Sequence, residues 1–79
     1  MALIYVVEDD VNIREIECFA LKNSGYTIED FECAKDFYLK VRERVPDLVL
    51  LDIMLPDEDG LDIVKKIRKK AETRRVPII

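Results

Sequence analysis

Two short apolar runs that each end in acid constrain this chain more than anything else in it. Leu3 to Val7 runs into Glu8-Asp9-Asp10, and Leu48 to Leu51 runs into Asp52. Unbroken apolar runs of this length suit strands covered on both faces, the habit of parallel sheets. A carboxylate just past such a strand stands at the carboxyl edge of the sheet, where open α/β folds place their sites. Like charges gathered on one edge repel, at about 4 kcal/mol per pair for a separation near 4 Å and an effective dielectric near 20. A fold has little structural reason to build that cluster, and a bound divalent cation supplies one. Glu8, Asp9 and Asp52 together therefore read as a candidate metal site. Asp10 reads differently, since an acid just ahead of a helix caps it, and either Asp10 or Asn12 can do so.

The remaining pattern alternates between the two regular structures. Helix one is expected over Val11 to Asn23, with Ile13, Ile16, Phe19 and Ala20 on its buried face and Gly25 as the left-handed stop. Thr27 to Phe31 is shorter and more polar, as an edge strand should be. Helix two covers Ala34 to Arg44, with an apolar stripe of Ala34, Phe37, Tyr38 and Val41. After strand Leu48 to Leu51, the segment Pro56-Asp57-Glu58-Asp59-Gly60 turns into helix three. Asp59 or Gly60 caps that helix, and Leu61, Val64, Ile67 and Ala71 form its expected buried stripe. Val76 to Ile79 is expected as a fourth strand. Strands and helices alternating in this way mean right-handed crossovers and a parallel sheet. The expected architecture is a single α/β domain, (βα)3β, with strand order 2-1-3-4. The chain reverses direction between strands one and three, which sets Glu8 and Asp9 beside Asp52.

Bulk properties exclude several classes. Seventy-nine residues make one small domain at most. A net charge of −4 and a pI near 4.8 argue against general nucleic-acid affinity. The basic cluster Lys65-Lys66-Ile67-Arg68-Lys69-Lys70 suits the solvated, C-terminal part of a helix, where cations complement the dipole. No stretch reaches the length of a membrane span, and Met1-Ala2-Leu3 lacks a basic leader. With no membrane segment or signal peptide, and with Cys18 and Cys33 at no metal-ligand spacing, the expected setting is cytoplasmic with reduced thiols. The absence of histidine removes His-dependent base, triad and zinc chemistry. Nucleotide and flavin sites need a glycine-rich turn after the first strand, yet strand one meets three acids and no glycine before Gly25. A phosphohydrolase of the Asp-x-Asp type finds little support, because Met54 stands two residues after Asp52.

At this point the chain resembles a known family, the receiver (phosphoacceptor) domain of two-component response regulators, whose fold is flavodoxin-like. The resemblance rests on Val6-Val7-Glu8-Asp9-Asp10, on Asp47-Leu48-Val49-Leu50-Leu51-Asp52-Ile53-Met54-Leu55-Pro56, and on Gly60 eight residues beyond Asp52. The stretch from Arg14-Glu15 through Asn23-Ser24-Gly25-Tyr26, and Thr73-Arg74-Arg75-Val76-Pro77-Ile78, are most similar to the winged-helix transcription-factor subgroup. The resemblance implies that Asp52 is the phosphoacceptor, taking its phosphoryl group from a phosphohistidine on a sensor histidine kinase. It implies Mg²⁺ (or Mn²⁺) bound by Asp9, Asp52 and the backbone carbonyl of Met54, with Glu8 acting through a coordinated water. Pro56 and Gly60 would shape the loop beside the site.

The same resemblance implies that residues 1–79 are the N-terminal part of a receiver, truncated after the fourth strand. The family's fifth strand and last two helices, with a Thr or Ser and a Lys that contact the phosphoryl group, have no counterpart within them. DNA would be reached only through an effector domain outside these residues, and the parent would regulate transcription. Uncovered parts of strands one, three and four are expected to face water and to drive homo-oligomer formation. A self-associating structural fragment without competent phosphotransfer is the alternative function.

Overall fold

In the computed structural model, which describes residues 2–79, β1 (Leu3–Val7) is the middle strand, and all five of its residues are buried. It pairs in parallel with β2 (Thr27–Phe31) on one side and β3 (Leu48–Leu51) on the other, giving the order β2-β1-β3. The registers run Leu3↔Thr27 to Val7↔Phe31 and Ile4↔Leu48 to Val7↔Leu51. Helices α1 (Val11–Asn23), α2 (Ala34–Glu43) and α3 (Gly60–Lys69) fill the crossovers. The bounds of α1 and α2 match the expected ones, with Arg44 as the C-cap of α2 rather than its last residue.

Val76 to Ile79 lies where the expected fourth strand belongs but does not form a regular strand. It runs parallel to β3 through a single bridge, Val49↔Ile78. The Val49 amide donates to the Pro77 carbonyl at 2.9 Å, and the Ile79 amide donates to Val49 at 3.0 Å. Pro77 has no N–H to offer, which breaks the regular alternation of ladder donors. The order 2-1-3-4 thus holds in space, with the fourth member reduced to a bridge.

Alternation along β1 divides the core. Leu3, Tyr5 and Val7 face α2 and α3, where they pack with Ala34, Phe37, Val49, Ile63, Ile67 and Val76. Ile4 and Val6 face α1 and meet Cys18, with Leu21, Ile28, Leu48 and Leu50 around them. The expectation that strand one faces water is therefore corrected: β1 is closed on both sides by flanking helices. Leu48 and Leu50 are half-buried, and Ile79 is 73% exposed.

Helix rotations also depart from the apolar stripes. The sheet-facing line of α1 is Arg14, Cys18 and Leu21, while Ile16 and Phe19 stand 69% and 68% exposed. Polar ties set this rotation. Asp10 caps the helix by accepting from the amides of Asn12 and Ile13, and Arg14 reaches the Glu8 carbonyl at 2.8 Å and Asp30 at 3.1 Å. At the other end, Gly25 (φ 91°) completes a Schellman motif, with Gly25 N–H on the Lys22 carbonyl and Tyr26 N–H on that of Leu21. In α3 the buried line is Gly60, Ile63 and Ile67. Leu61 is exposed, and Ala71 lies past the helix end in a turn.

The lysines of the basic cluster are exposed as expected, but Arg68 is not spread into solvent. Its guanidinium donates to the carbonyls of Val76 at 2.6 Å and Arg74 at 2.8 Å, closing the turn after α3. Thr73, the buried polar residue of that turn, donates its hydroxyl to the Ile67 carbonyl at 2.6 Å. Cys18 and Cys33 are both free thiols, and among the described residues no helix is long and apolar enough to cross a membrane.

Candidate functional site

Because β1 and β3 are adjacent and parallel, the residues that follow them emerge side by side. Past the last registered pair, Val7↔Leu51, the Asp52 amide donates to the Val7 carbonyl at 2.9 Å, and on the other side the Glu8 amide donates to the Phe31 carbonyl at 3.0 Å. The ladder thus holds both acid positions at the carboxyl edge. Carboxylate oxygens of Glu8, Asp9 and Asp52 lie within 4.8 Å of one another. At that spacing each like-charge pair costs about 3 kcal/mol at an effective dielectric near 20. Among the described residues, no Lys or Arg forms an ion pair with any of the three. Arg14, close by in sequence, is spent on the Glu8 carbonyl and on Asp30.

Local hydrogen bonds aim the cluster. The Asp10 amide donates to Glu8 Oε2 at 3.2 Å, and the Met54 amide donates to Asp52 Oδ1 at 3.2 Å. Burial pushes the Glu8 carboxyl up to about 7, with the Asp10 amide opposing and the neighbouring Asp52 and Asp9 adding to the rise. Glu17 is raised in the same direction, by burial first and by the charge of Asp52 second. Asp10 stands apart as the cap of α1.

A raised carboxyl means that the folded state holds the proton more tightly than the unfolded chain, whose Glu titrates near 4.5. Stability from this group is therefore present below about 4.5 and is lost as pH rises through about 7. Without divalent cations, the melting temperature is expected to fall between pH 5 and pH 8. Glu8→Gln should flatten that slope, and Mg²⁺ at pH 8 should restore the lost stability by mass action. Thermal melts in chelator and in Mg²⁺ check this. An unchanged slope in Glu8→Gln would sink it.

The loop from Asp52 to Gly60 closes on itself. The Gly60 amide donates to the Ile53 carbonyl at 2.7 Å, and Met54 bridges Asp59. Asp59 is the cap of α3, accepting from the Leu61 amide at 2.8 Å, and Pro56 occupies an exposed bend. Gly60 is buried against the loop's backbone: a Cβ there would lie 2.6 Å from Ile53 Cα and 2.7 Å from the Asp52 carbonyl oxygen. Met54 is 81% exposed beside Asp52.

Two residues of this loop escaped the reading of the sequence. Asp57 accepts from the amides of Ala34 at 2.9 Å and Lys35 at 3.0 Å, the first donors of α2. The Ala34 bond, chiefly, holds its carboxyl below the ordinary range. Glu58 accepts from the Tyr38 hydroxyl at 2.9 Å and pairs with Lys66 at 2.9 Å. The available signal was Cys33, a poor capping residue directly before Ala34.

Residues 4–79 match the response regulator receiver domain. The chain belongs to the response regulator receiver family. This receiver is 40% identical over 79 residues to the phosphate regulon transcriptional regulatory protein PhoB of Klebsiella pneumoniae, covering 96% of the chain and 33% of that protein. It thus spans about a third of the length of the curated relatives it matches. Its fold is that of the chemotaxis response regulator CheY4 of Vibrio cholerae, with a TM-score of 0.94 at 26% identity over 99% of this chain and 65% of that one. The non-phosphorylated HemR receiver domain of Leptospira biflexa superposes with a TM-score of 0.88 at 31% identity, over 99% and 61% of the two chains. The flavodoxin-like architecture and the two-component receiver assignment both follow.

Proposed function

We propose that this receiver accepts a phosphoryl group on Asp52 from a phosphohistidine of a sensor histidine kinase. The observation that carries this is the convergence of Glu8, Asp9 and Asp52 at one sheet edge with, among the described residues, no cationic side chain paired to them. Three hard carboxylate donors fit Mg²⁺ or Mn²⁺, which prefer oxygen ligands and retain waters. Asp9, Asp52 and the Met54 backbone carbonyl would hold the ion, and Glu8 would act through a bound water. When bound, the cation supplies charge neutralisation for the acids and for the phosphoryl oxygens.

The chain's own residues do the rest. The Met54 amide fixes one oxygen of Asp52, leaving the other as the nucleophile. That oxygen forms the O–P bond of an acyl phosphate as the P–N bond breaks; the bond pair stays on the donor's ring nitrogen, and the proton already on its other ring nitrogen makes the leaving group a neutral imidazole. In the full-length parent, phosphorylation would regulate transcription through a separate DNA-binding effector domain, in the cytoplasm and without membrane contact.

The test uses a small acyl phosphate donor with Mg²⁺ and reads intact mass. A phosphate-sized gain is expected in the wild type and none in Asp52→Asn, and the gain should vanish when Mg²⁺ is chelated. Folded wild-type protein with no gain would overturn the proposal. It would leave the second reading, a self-associating unit, which the exposed Ile16 and Phe19 of α1 favour. Sedimentation at micromolar concentration would then show a dimer or larger species.

A further inference from the structure

The loop that carries Met54 is fastened to the neighbouring helices by two consecutive residues, and neither of their carboxylates is among the clustered acids. Asp57 spans the first two amides of α2 with its two oxygens, and Glu58 ties Tyr38 of α2 to Lys66 of α3. The N-cap residue of α2, Cys33, makes no side-chain cap of its own. A serine or aspartate there would cap α2 locally, accepting from its second or third amide, that of Lys35 or Asp36. A carboxylate 23 positions away does something a local cap cannot, because it tethers the loop to the helix.

The loop needs such a tether. Ile53 and Met54 are 54% and 81% exposed, and of the residues between Asp52 and Gly60 only Leu55 packs against the core. At the loop's near end the Met54 amide is bound to Asp52 Oδ1, and at its far end Asp59 bridges back to Met54. A pull on Asp57 or Glu58 is therefore a pull on the Asp52–Met54 geometry.

Resting on the cation reading above, we propose that Asp57 and Glu58 are positioning residues for the metal centre: they fasten the β3–α3 loop to α2, hold the Met54 backbone beside Asp52, and make the first turn of α2 respond to the centre's occupancy. Partners of a metal site beyond its direct ligands commonly change affinity when removed, by about 10-fold or more.

The test is a Mg²⁺ titration of the intact chain by calorimetry, together with amide resonances followed by NMR. It compares the wild type, Asp57→Ala, Glu58→Gln, and the double variant Asp57→Ala with Cys33→Ser. The double variant gives α2 a local cap while removing the Asp57 tether, which separates helix stability from loop position. Mg²⁺ affinity is expected to fall about 10-fold in Asp57→Ala and less in Glu58→Gln, and to stay low in the double variant even as its melting temperature recovers. The Ala34 and Lys35 amides should shift on Mg²⁺ addition in the wild type and cease to do so in the double variant. Wild-type affinity in the folded double variant would overturn the tether alone. A wild-type chain that takes up no Mg²⁺ would overturn the cation reading itself, and this inference with it.

Discussion

Phe37→Ala should leave much of the protein unfolded at 25 °C. Phe37 is fully buried between the sheet and α2, with ring centroids 6.3 Å from Tyr5 and 6.1 Å from Phe31 in edge-to-face arrangements. Truncating a buried phenylalanine costs about 3–5 kcal/mol, with the lost aromatic pairs inside that sum. A domain of this length has about 4–12 kcal/mol in total. The loss takes most of the lower figure. Urea unfolding followed by circular dichroism measures it: the alanine variant should lack a native baseline or unfold at a much lower midpoint. Phe37→Leu, which keeps most of the volume, should retain a cooperative transition and lose about 1.5 kcal/mol or less. A wild-type midpoint in the alanine variant would refute the placement of the core.

Gly60→Ala should damage fold and site together. The obstacle is space rather than dihedral angle, since Gly60 does not adopt positive φ. Its absent Cβ would meet two backbone groups, Ile53 Cα at 2.6 Å and the Asp52 carbonyl oxygen at 2.7 Å, neither of which is a flexible side-chain tip. Relief requires α3 to withdraw from the loop. That lengthens the 2.7 Å bond from the Gly60 amide to Ile53 and loosens the Met54–Asp59 bridge. Overpacking of this kind costs about 1–3 kcal/mol, and a rigid neighbour puts it at the upper end. Thermal melts should show the stability loss, and the phosphoryl uptake proposed for Asp52 should slow in parallel. A variant as stable and as readily phosphorylated as the wild type would show that the loop yields freely.

Much of this was legible in the residues. The bounds of β1 and β3 came from unbroken apolar runs, helix ends from Asp10, Gly25 and Asp59, and the acid cluster from topology that placed two strand ends side by side. The misreadings share a physical cause. Apolar spacing alone assigned Ile16 and Phe19 to the core, whereas Arg14 rotates α1 by bonding Glu8 and Asp30. Leu61 was assigned inward by the same rule, yet the packing of Gly60 on the loop backbone turns α3 so that Ile63 points in. The cap of α2 by Asp57 is a contact across 23 positions, invisible to any local pattern. Periodicity reports which residues prefer burial, while polar ties in α1 and a close backbone approach in α3 bear on which of them obtain it.

The central position of β1 has a consequence for how the chain is made. Its five buried residues are made before the strands that pair with them, and the β3 side comes much later. The amide of Leu3 waits for Asp47, 44 positions on, and its β3 neighbours follow that residue. During synthesis the β3 edge of β1 thus stays unpaired until the whole of α2 has been added, although β2 is already available to the other edge. Such non-local pairing slows folding and leaves a nascent chain open to aggregation. The strand that anchors the finished sheet is the segment most in need of shielding before the sheet exists.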